Sequence, residues 1–137
     1  MGQRDFITGL MFVVVLGGCA SSEPMQSCGW IYSVGVTPAA RDIHPLTVDA
    51  IDGDNVNERE MRPLTPGSHE LKVYEQIKDS RLAVNARNRG ESQILKIDVA
   101  DGQIYYLGAQ FLPDKRYSAR NDYWQPVVWK QEARPCP

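Results

Sequence analysis

Apolar and polar residues follow two different patterns along this chain. The first is a continuous apolar run, Phe6–Leu16, which contains no charged side chain. At eleven residues the run is too short to span a bilayer, and it has the length of the apolar region of a signal peptide. From residue 29 onward the chain instead alternates apolar and polar residues in short segments, which is typical of half-buried strands.

Seven segments carry this strand pattern, and turn signals separate them. They are residues 29–36, 46–51, 56–64, 69–77, 93–99, 103–111 and 123–130. The turns include Asp52-Gly53, Thr65-Pro66-Gly67 and Ala100-Asp101-Gly102, which are compositions that favour tight reversals. The pattern predicts an all-β fold, a small antiparallel β-sandwich of about seven strands after an N-terminal signal segment.

Two segments depart from the strand pattern. Residues 78–90 are compatible with one short helix or with an extension of a strand, and Gly90 would end either structure. Residues 112–122 are polar and contain Pro and charged side chains, which indicates a loop. The sequence leaves the choice between helix and strand open for residues 78–90.

The apolar run ends in a short motif. Leu16-Gly17-Gly18-Cys19 resembles the lipobox of bacterial lipoproteins, in which an aliphatic residue and two small residues precede the cysteine that is lipidated. The resemblance implies a lipoprotein signal peptide over residues 1–18 and acyl chains, palmitate among them, on Cys19. Residues 19–27 would then form the lipidated N-terminus and a short tether. By the same resemblance, Ala20 rather than Asp after the cysteine favours the outer membrane.

Length and charge narrow the class of protein further. Removal of residues 1–18 from the 137-residue chain would leave 119 residues, enough for one domain, which we assign to residues 28–137. The formal net charge is −2. A slightly acidic chain lacks the basic surface that nucleic-acid binding requires, so we expect no nucleic-acid partner.

The three cysteines differ in their expected roles. If Cys19 is lipidated, Cys28 and Cys136 remain, and an even number of cysteines in an exported chain suggests a disulfide. Such a bond would tie the first strand to the C-terminal tail. The alternative is a redox pair, for which a Cys-x-x-Cys motif would be expected, and the sequence contains none.

A second resemblance lies in the middle of the predicted sandwich. Ile51-Asp52-Gly53, the segment Leu64–Val73 and the segment Val99–Leu107 are similar to the hairpin, turn and strand motifs of PEGA-like modules. The resemblance implies a small β-sandwich that serves in the cell envelope without catalysis. The chain departs from the usual order of those modules after Tyr74, where residues 78–90 intervene.

Candidate metal ligands are few. His69 could be a ligand or a base, or a side chain that packs over the turn before its strand, and His44 stands at no metal-binding spacing from it. An oxygen-rich segment contains Asp49, Asp52, Asp54, Asn55 and Asn57. Its spacing differs from that of a calcium-binding loop and favours a solvated hairpin tip, so we predict no metal site and no cofactor.

Candidate catalytic groups are equally sparse. Glu58 and Glu60 lie on one face of a polar segment, but the pattern around them does not predict a cleft that would raise a carboxyl pKa. The sequence contains no Gly-x-Ser-x-Gly motif and no further cysteine beside a histidine. We therefore predict that the protein has no catalytic residues and is not an enzyme.

Aromatic residues are the remaining candidates for binding. Tyr123, Trp124 and Trp129 lie close together in the C-terminal segment, and such side chains favour interfaces because an apolar ring carries a polar group. They could bind a partner protein, a glycan or lipid headgroups. The alternative interpretation is that they pack in the core beside the disulfide.

These features lead to an expectation about location and role. We expect a lipoprotein anchored by its acyl chains on the periplasmic face of the outer membrane, with the inner membrane as the alternative. It would be a non-catalytic binding or structural module whose partner is another envelope protein. The alternatives are an accessory or pilot lipoprotein of a secretion or surface-assembly machine and, less favoured, a lysozyme-inhibitor-type lipoprotein. The partner, the process and the oligomeric state stay open.

Overall fold

The computed structural model describes residues 18, 28–82 and 89–136, and nine strands lie within these ranges. The strands are β1 (Gly29–Tyr32), β2 (Ile43–His44), β3 (Leu46–Ile51), β4 (Asp54–Asn55), β5 (Met61–Leu64), β6 (Gly67–Glu75), β7 (Gln93–Val99), β8 (Gln103–Phe111) and β9 (Trp124–Ala133). Two 3₁₀ helices, Ala39–Arg41 and Pro113–Lys115, lie in the connections.

Five strands form the first sheet, which is built around β8. Strand β9 pairs with β8 in antiparallel orientation along its whole length, from Gln103 to Phe111. On the other side, β8 pairs first with β1, in parallel, and then with β2, in antiparallel orientation. Strand β5 pairs with β1 and forms the far edge. The first strand of the domain is therefore an interior strand of this sheet.

Four strands form the second sheet, in the order β4-β3-β6-β7, and every pair in it is antiparallel. The β3–β4 hairpin turns at Asp52-Gly53, where both residues have positive φ, 51° and 87°. Glycine adopts this conformation without steric cost, and Asp is among the residues that tolerate it. The Asp-Gly pair thus sets the position of this hairpin.

The core lies between the two sheets because alternate residues of the facing strands point inward. In β3, Leu46, Val48 and Ala50 are buried, whereas the intervening residues are partly exposed, as the alternation predicts. The fully buried side chains of the core include Trp124, Tyr123, Phe111, Ile31, Leu46, Leu71, Leu107 and Val73. Burial of their apolar surface, at about 25 cal/mol per Å², is the main contribution that holds the sheets together.

The predicted fold is confirmed, since the described chain is nearly all β and its two mostly antiparallel sheets form a small sandwich. The segment predicted as one strand, residues 56–64, instead crosses from one sheet to the other. Its polar part, residues 56–60, connects β4 to β5, whereas Leu64 at the end of β5 is buried opposite Gly29. The parallel pairing of β1 with β8 was not predicted.

Several predictions concern residues outside the described ranges. They include the signal peptide over residues 1–18, of which only Gly18 is described, and the lipidated tether over residues 19–27. Residues 83–88, in the middle of the open segment 78–90, also lie outside, and residues 76–82 before them form an irregular connection. Within the described ranges, no helix has both the length and the apolar character needed to cross a bilayer.

Candidate functional site

The outer faces of the two sheets differ in chemistry. On the outer face of the four-stranded sheet, the register places Glu70 opposite Lys96, and Lys72 opposite the exposed Ile94. Ion pairs such as Lys72–Asp49, with 3.2 Å between Nζ and Oδ2, lie on this exposed face. The outer face of the five-stranded sheet instead presents aromatic rings. The aromatic outer face of the five-stranded sheet is therefore the candidate surface for binding.

Four side chains form what we call the aromatic face: Trp30, Tyr32, Tyr106 and Trp129. The parallel register pairs Tyr32 with Tyr106, and their ring centroids are 5.1 Å apart. The ring centroid of Trp129 lies 5.4 Å from that of Tyr106. Such tilted rings at this distance attract one another beyond the effect of burial alone. The aromatic face therefore runs across three strands, β1, β8 and β9.

A bulge in β9 positions Trp129. The register shifts between Tyr106 and Leu107, which leaves Trp129 without a paired residue on β8. The Trp129 Nε1–H donates to the Leu107 carbonyl oxygen at 3.2 Å, and the indole lies over Gly108. A Cβ at residue 108 would collide with Ile43 Cγ2 at 2.5 Å and press on the indole at 3.0 Å. Sequence patterning could not locate this side chain, because a bulge reverses the alternation that follows it.

Charged groups surround the aromatic face and contact its rings. Glu60 accepts a hydrogen bond from the Tyr32 hydroxyl, and Glu132 accepts one from the Tyr106 hydroxyl, both at 2.9 Å. Each of these bonds to a carboxylate is the first cause of the raised pKa of its tyrosine. Lys130 Nζ lies 5.0 Å from the Tyr106 ring, and the Arg134 guanidinium lies 5.0 Å from the Trp30 ring. The negative charges of Glu60 and Glu132 thus balance the positive charges of Lys130 and Arg134 on this face.

The structure separates the three aromatic residues for which the sequence suggested partner binding. Trp129 lies on the aromatic face, whereas Tyr123 and Trp124 are buried in the core, with 0 % and 1 % exposure. The Trp124 indole N–H donates to Asn121 Oδ1 at 2.8 Å. Since Trp124 pairs with the buried Phe111 at the end of β8, its ring points inward, and neither Tyr123 nor Trp124 is accessible to a partner.

Tyr123 belongs to a buried polar network centred on Glu75. The Tyr123 hydroxyl donates to Glu75 Oε1 at 2.9 Å, and the Arg89 Nε–H donates to the same oxygen at 3.0 Å. Glu75 Oε2 accepts from the Ile77 backbone N–H at 2.5 Å. Burial, followed by the neighbouring carboxylate, raises the pKa of Tyr123. The network satisfies the buried carboxylate and joins β6 to the segment that precedes β9, so its role is structural.

His69 connects two turns of the sandwich. Its Nδ1 lies 2.6 Å from Asp52 Oδ2, and its Nε2 lies 2.6 Å from the Thr65 carbonyl oxygen. Asp52 Oδ1 also accepts the Glu70 backbone N–H at 2.8 Å. Both partners of the imidazole are acceptors, so the geometry favours a ring that carries a proton at each nitrogen, in line with its raised pKa. This Asp52–His69–Thr65 clasp ties the β3–β4 turn to the β5–β6 turn.

The clasp resembles a catalytic triad only in outline. Thr65 Oγ1 lies 3.4 Å from His69 Nε2, and Asp52 lies on the opposite side of the ring. However, the Thr65 carbonyl at 2.6 Å already takes the Nε2 proton, so the imidazole has no free lone pair with which to act as a base. Sequence spacing indicated that His69 could pack over its turn, but it could not identify Asp52 as the partner.

The second histidine, His44, lies at a separate position. It lines an open cleft of about 350 Å³ together with Thr47, Glu58 and Lys78. Its buried Nε2 has no hydrogen-bond partner among the described residues and lies 3.8 Å from Asp79 Oδ2. Hydrogen bonds from Arg81 lower the pKa of Asp79 to about 2. His44 and His69 thus face different carboxylates and do not form a shared metal site.

The remaining acidic candidates are dispersed. Asp49 pairs with Lys72, Asp52 belongs to the clasp, and Asp54 and Asn55 are exposed in β4. The Asn57 carbonyl accepts a hydrogen bond from Arg62. Glu58 lines the His44 cleft, and Glu60 contacts the aromatic face. The oxygen-rich segment is therefore not gathered around one point.

The predicted disulfide between Cys28 and Cys136 is confirmed, with an S–S distance of 2.01 Å and 5.7 Å between the Cα atoms. The backbone N–H of Cys28 donates to Asp101 Oδ1 at 2.9 Å, and the Gly102 N–H donates to the Cys28 carbonyl at 2.8 Å. These bonds make a rigid corner at which the chain enters the domain, immediately before β1.

The comparisons with known proteins do not assign a family or a function to this chain. No family model matches the chain, and neither a curated protein nor a solved structure matches it.

Proposed function

We propose that this protein is a lipid-anchored module of the bacterial cell envelope that acts by binding another envelope protein, without catalysis. The observation that carries the proposal is the disulfide corner at Cys28, which closes the domain nine residues after Cys19. Cys19 is the last residue of the motif that resembles a lipobox. An acylated Cys19 would hold the domain close to a membrane, which we take to be the periplasmic face of the outer membrane.

The contacts of the polar candidates support a non-catalytic role. His69 donates at both ring nitrogens, and Glu75 is satisfied within a buried network. The similarity to PEGA-like modules points the same way, because Asp52 and His69 both belong to the similar segments and bond each other. In this interpretation those segments stabilise turns of the sandwich and form no reaction centre.

A second candidate function is that of an accessory or pilot lipoprotein of a secretion or surface-assembly machine. Strand β9 favours it, since β9 pairs with β8 alone among the described strands and its residues 130–133 are exposed. A free strand edge can accept an extended segment of another protein by backbone hydrogen bonding. Pro126 and the bulge at Trp129 restrict such pairing to the C-terminal half of β9.

The first test is the intact mass of protein extracted from the membranes of its own host, compared with the Cys19→Ala variant. We expect a chain that begins at Cys19 and carries acyl chains, and a Cys19→Ala variant that leaves the membrane fraction. An unmodified N-terminus in the extracted protein would refute the anchor.

Cross-linking in intact cells followed by purification tests the binding role. We expect the same envelope protein to be captured by the native chain and not by Cys19→Ala, because anchoring brings the two together. A Lys130→Glu variant should weaken capture if the partner pairs with β9. Capture that is equal for the native and Cys19→Ala chains would argue against a role that depends on the membrane.

A further inference from the structure

The aromatic face begins at the point where the chain enters the domain. Cys28 directly precedes β1, and Trp30 is the second residue of that strand. The disulfide to Cys136 and the hydrogen bond to Asp101 fix Cys28 at this corner. The position of Cys28, where any tether would join the domain, is therefore fixed relative to the aromatic face.

The length of the tether limits where the domain can lie. Nine residue steps separate Cys19 from Cys28, so the extended chain reaches at most about 30 Å. Strand β8 has nine residues and is itself about 30 Å long. If Cys19 is held in a bilayer, the whole five-stranded sheet lies within reach of the headgroups, and one surface of the domain faces them.

The chemistry of the aromatic face suits a headgroup layer. Trp and Tyr favour the membrane–water interface, and Lys and Arg keep their charged ends at the level of the phosphates. Here Arg134 stacks on Trp30 and Lys130 stacks on Tyr106, so each base lies directly over a ring.

The opposite face suits water better. The outer face of the four-stranded sheet carries Glu70, Lys72, Lys96 and Asp98 on neighbouring strands. Placing this face against lipid would remove water from each of these charges, and it offers one ring, Tyr74, against the four rings of the aromatic face. Of the two broad faces, the aromatic one is the better match to the membrane.

Building on the lipid anchor proposed above, we propose that the aromatic face rests on the phospholipid headgroups of the membrane that holds Cys19. Arg134 pairs with headgroup phosphates, Lys130 keeps its ion pair with Glu132 (2.7 Å between Nζ and Oε1), and Trp30 and Trp129 lie at the interface. The four-stranded sheet then points away from the membrane, towards the envelope protein that the domain binds. Because Glu60 and Glu132 balance the two bases, this contact depends only weakly on salt.

The test uses the full lipidated protein reconstituted into vesicles of phosphatidylethanolamine and phosphatidylglycerol, with some lipids brominated near the glycerol backbone. Bromine quenches tryptophan emission on contact. We expect quenching of the native protein, a smaller loss in Trp30→Phe and in Trp129→Phe, and no quenching of the buried Trp124. A matched control, Trp30→Phe with Trp129→Phe and Tyr74→Trp, places a tryptophan on the outer face of the four-stranded sheet and should stay unquenched.

Charge reversal provides a second readout. Arg134→Glu should reduce the quenching of Trp30, whereas Lys96→Glu on the opposite face should leave it unchanged. Equal emission in brominated and plain vesicles would overturn the proposal when the same sample carries acylated Cys19 and floats with the vesicles. Protection of Trp30 and Trp129 from aqueous acrylamide in native membranes, without bromine quenching, would assign the face to a protein and also overturn it. A sample that is neither acylated nor floating would refute the anchor and, with it, this orientation.

Discussion

At the scale of single residues, His69 is the group whose charge should matter most to stability near neutral pH. Burial opposes its protonation, but the hydrogen bonds to Asp52 and to the Thr65 carbonyl outweigh that effect and raise its pKa. For Asp52, the Glu70 backbone N–H and then His69 lower the pKa. A protonated His69 beside an ionised Asp52 is therefore the state that the fold stabilises.

The sign of the pH dependence follows from these two directions. The contribution of His69 is complete below its unfolded pKa of about 6.5 and is lost as the pH rises through its higher folded pKa. The contribution of Asp52 is present above about pH 3.9 and is lost as the pH falls through its lower folded pKa. We expect the free energy of unfolding to decrease above about pH 6.5, and His69→Gln to remove much of that decrease.

Denaturant unfolding at a series of pH values, together with NMR titration of both imidazoles, would measure this effect. His44 serves as the internal comparison, because it belongs to no such clasp. A His69 imidazole that titrates below about 6.5 would contradict the two-acceptor geometry. So would a Gln variant that keeps the full pH dependence of the native protein.

The sequence identifies residues such as His69 more readily than the residues to which they form hydrogen bonds. His69 stands out because the turn Thr65-Pro66-Gly67 precedes it, yet Asp52 lies 17 residues away and joins it only when β3 and β6 pair. Tyr123 and Trp124 are of residue types that favour binding surfaces, but their side chains point into the core. Residue type alone cannot state which face of a strand is covered, since that depends on which sheet the strand joins.

At the scale of elements, the Glu75 network should be a main contributor to the packing of β6 against the start of β9. Glu75→Ala would leave the Tyr123 hydroxyl and the Ile77 N–H without their acceptor in the interior. We expect a loss of about 2–3 kcal/mol in the free energy of unfolding, because buried donors without partners are costly and Arg89 is partly solvated.

Urea denaturation would measure this loss, with Glu70→Ala as the matched control on the exposed face of the same strand. The control should change stability by no more than about 0.5 kcal/mol. A cost of Glu75→Ala as small as that of the control would mean that the network adds nothing to the contact between β6 and the segment before β9.

Strands β2, β8 and β9 meet closely at Gly108. A Cβ at this residue would lie 2.5 Å from Ile43 Cγ2 and 3.0 Å from Trp129 Cδ1. We expect Gly108→Ala to destabilise the fold by about 1–3 kcal/mol, since Ile43 and Trp129 would have to move. In a double-mutant cycle with Ile43→Ala, the combined cost should be less than the sum of the single costs. Strictly additive costs, measured by thermal or urea unfolding, would show that the two side chains do not compete for space.

Elements with regular alternation were predictable, and the others were not. The bounds predicted for residues 46–51, 93–99 and 103–111 agree with β3, β7 and β8, because each has an uninterrupted apolar face. The prediction of one strand over residues 56–64 was wrong. Residues 56–60 form a polar connection that leaves the four-stranded sheet, whereas the apolar end of β5 belongs to the five-stranded sheet. The parallel pairing of β1 with β8 could not be predicted either, since two strands that are far apart along the chain leave no local sequence pattern when they pair.

At the scale of the whole molecule, the two faces and the disulfide corner act together. The corner fixes Cys28 at one end of β1, and the aromatic face starts two residues later. The disulfide and the hydrogen bond to Asp101 thus hold the start of the aromatic face at one fixed point of the domain. The cysteine pair could be predicted from the sequence, whereas the aromatic face depends on bringing three strands together.

The Cys28–Cys136 bond should be the largest single contribution to the stability of the molecule. It closes a loop of 108 residues, and restricting an unfolded chain of that length stabilises the folded state by about 4–5 kcal/mol in the chain-entropy model. We expect reduction, or Cys28→Ala with Cys136→Ala, to lower the urea midpoint without altering the folded spectrum. The hydrogen bonds that join Cys28 to Asp101 and Gly102 remain after reduction, so the corner should persist in the folded state. Equal midpoints for the oxidised and reduced proteins would mean that these hydrogen bonds and the core suffice, and that the bond does not restrict the unfolded chain to any measurable degree.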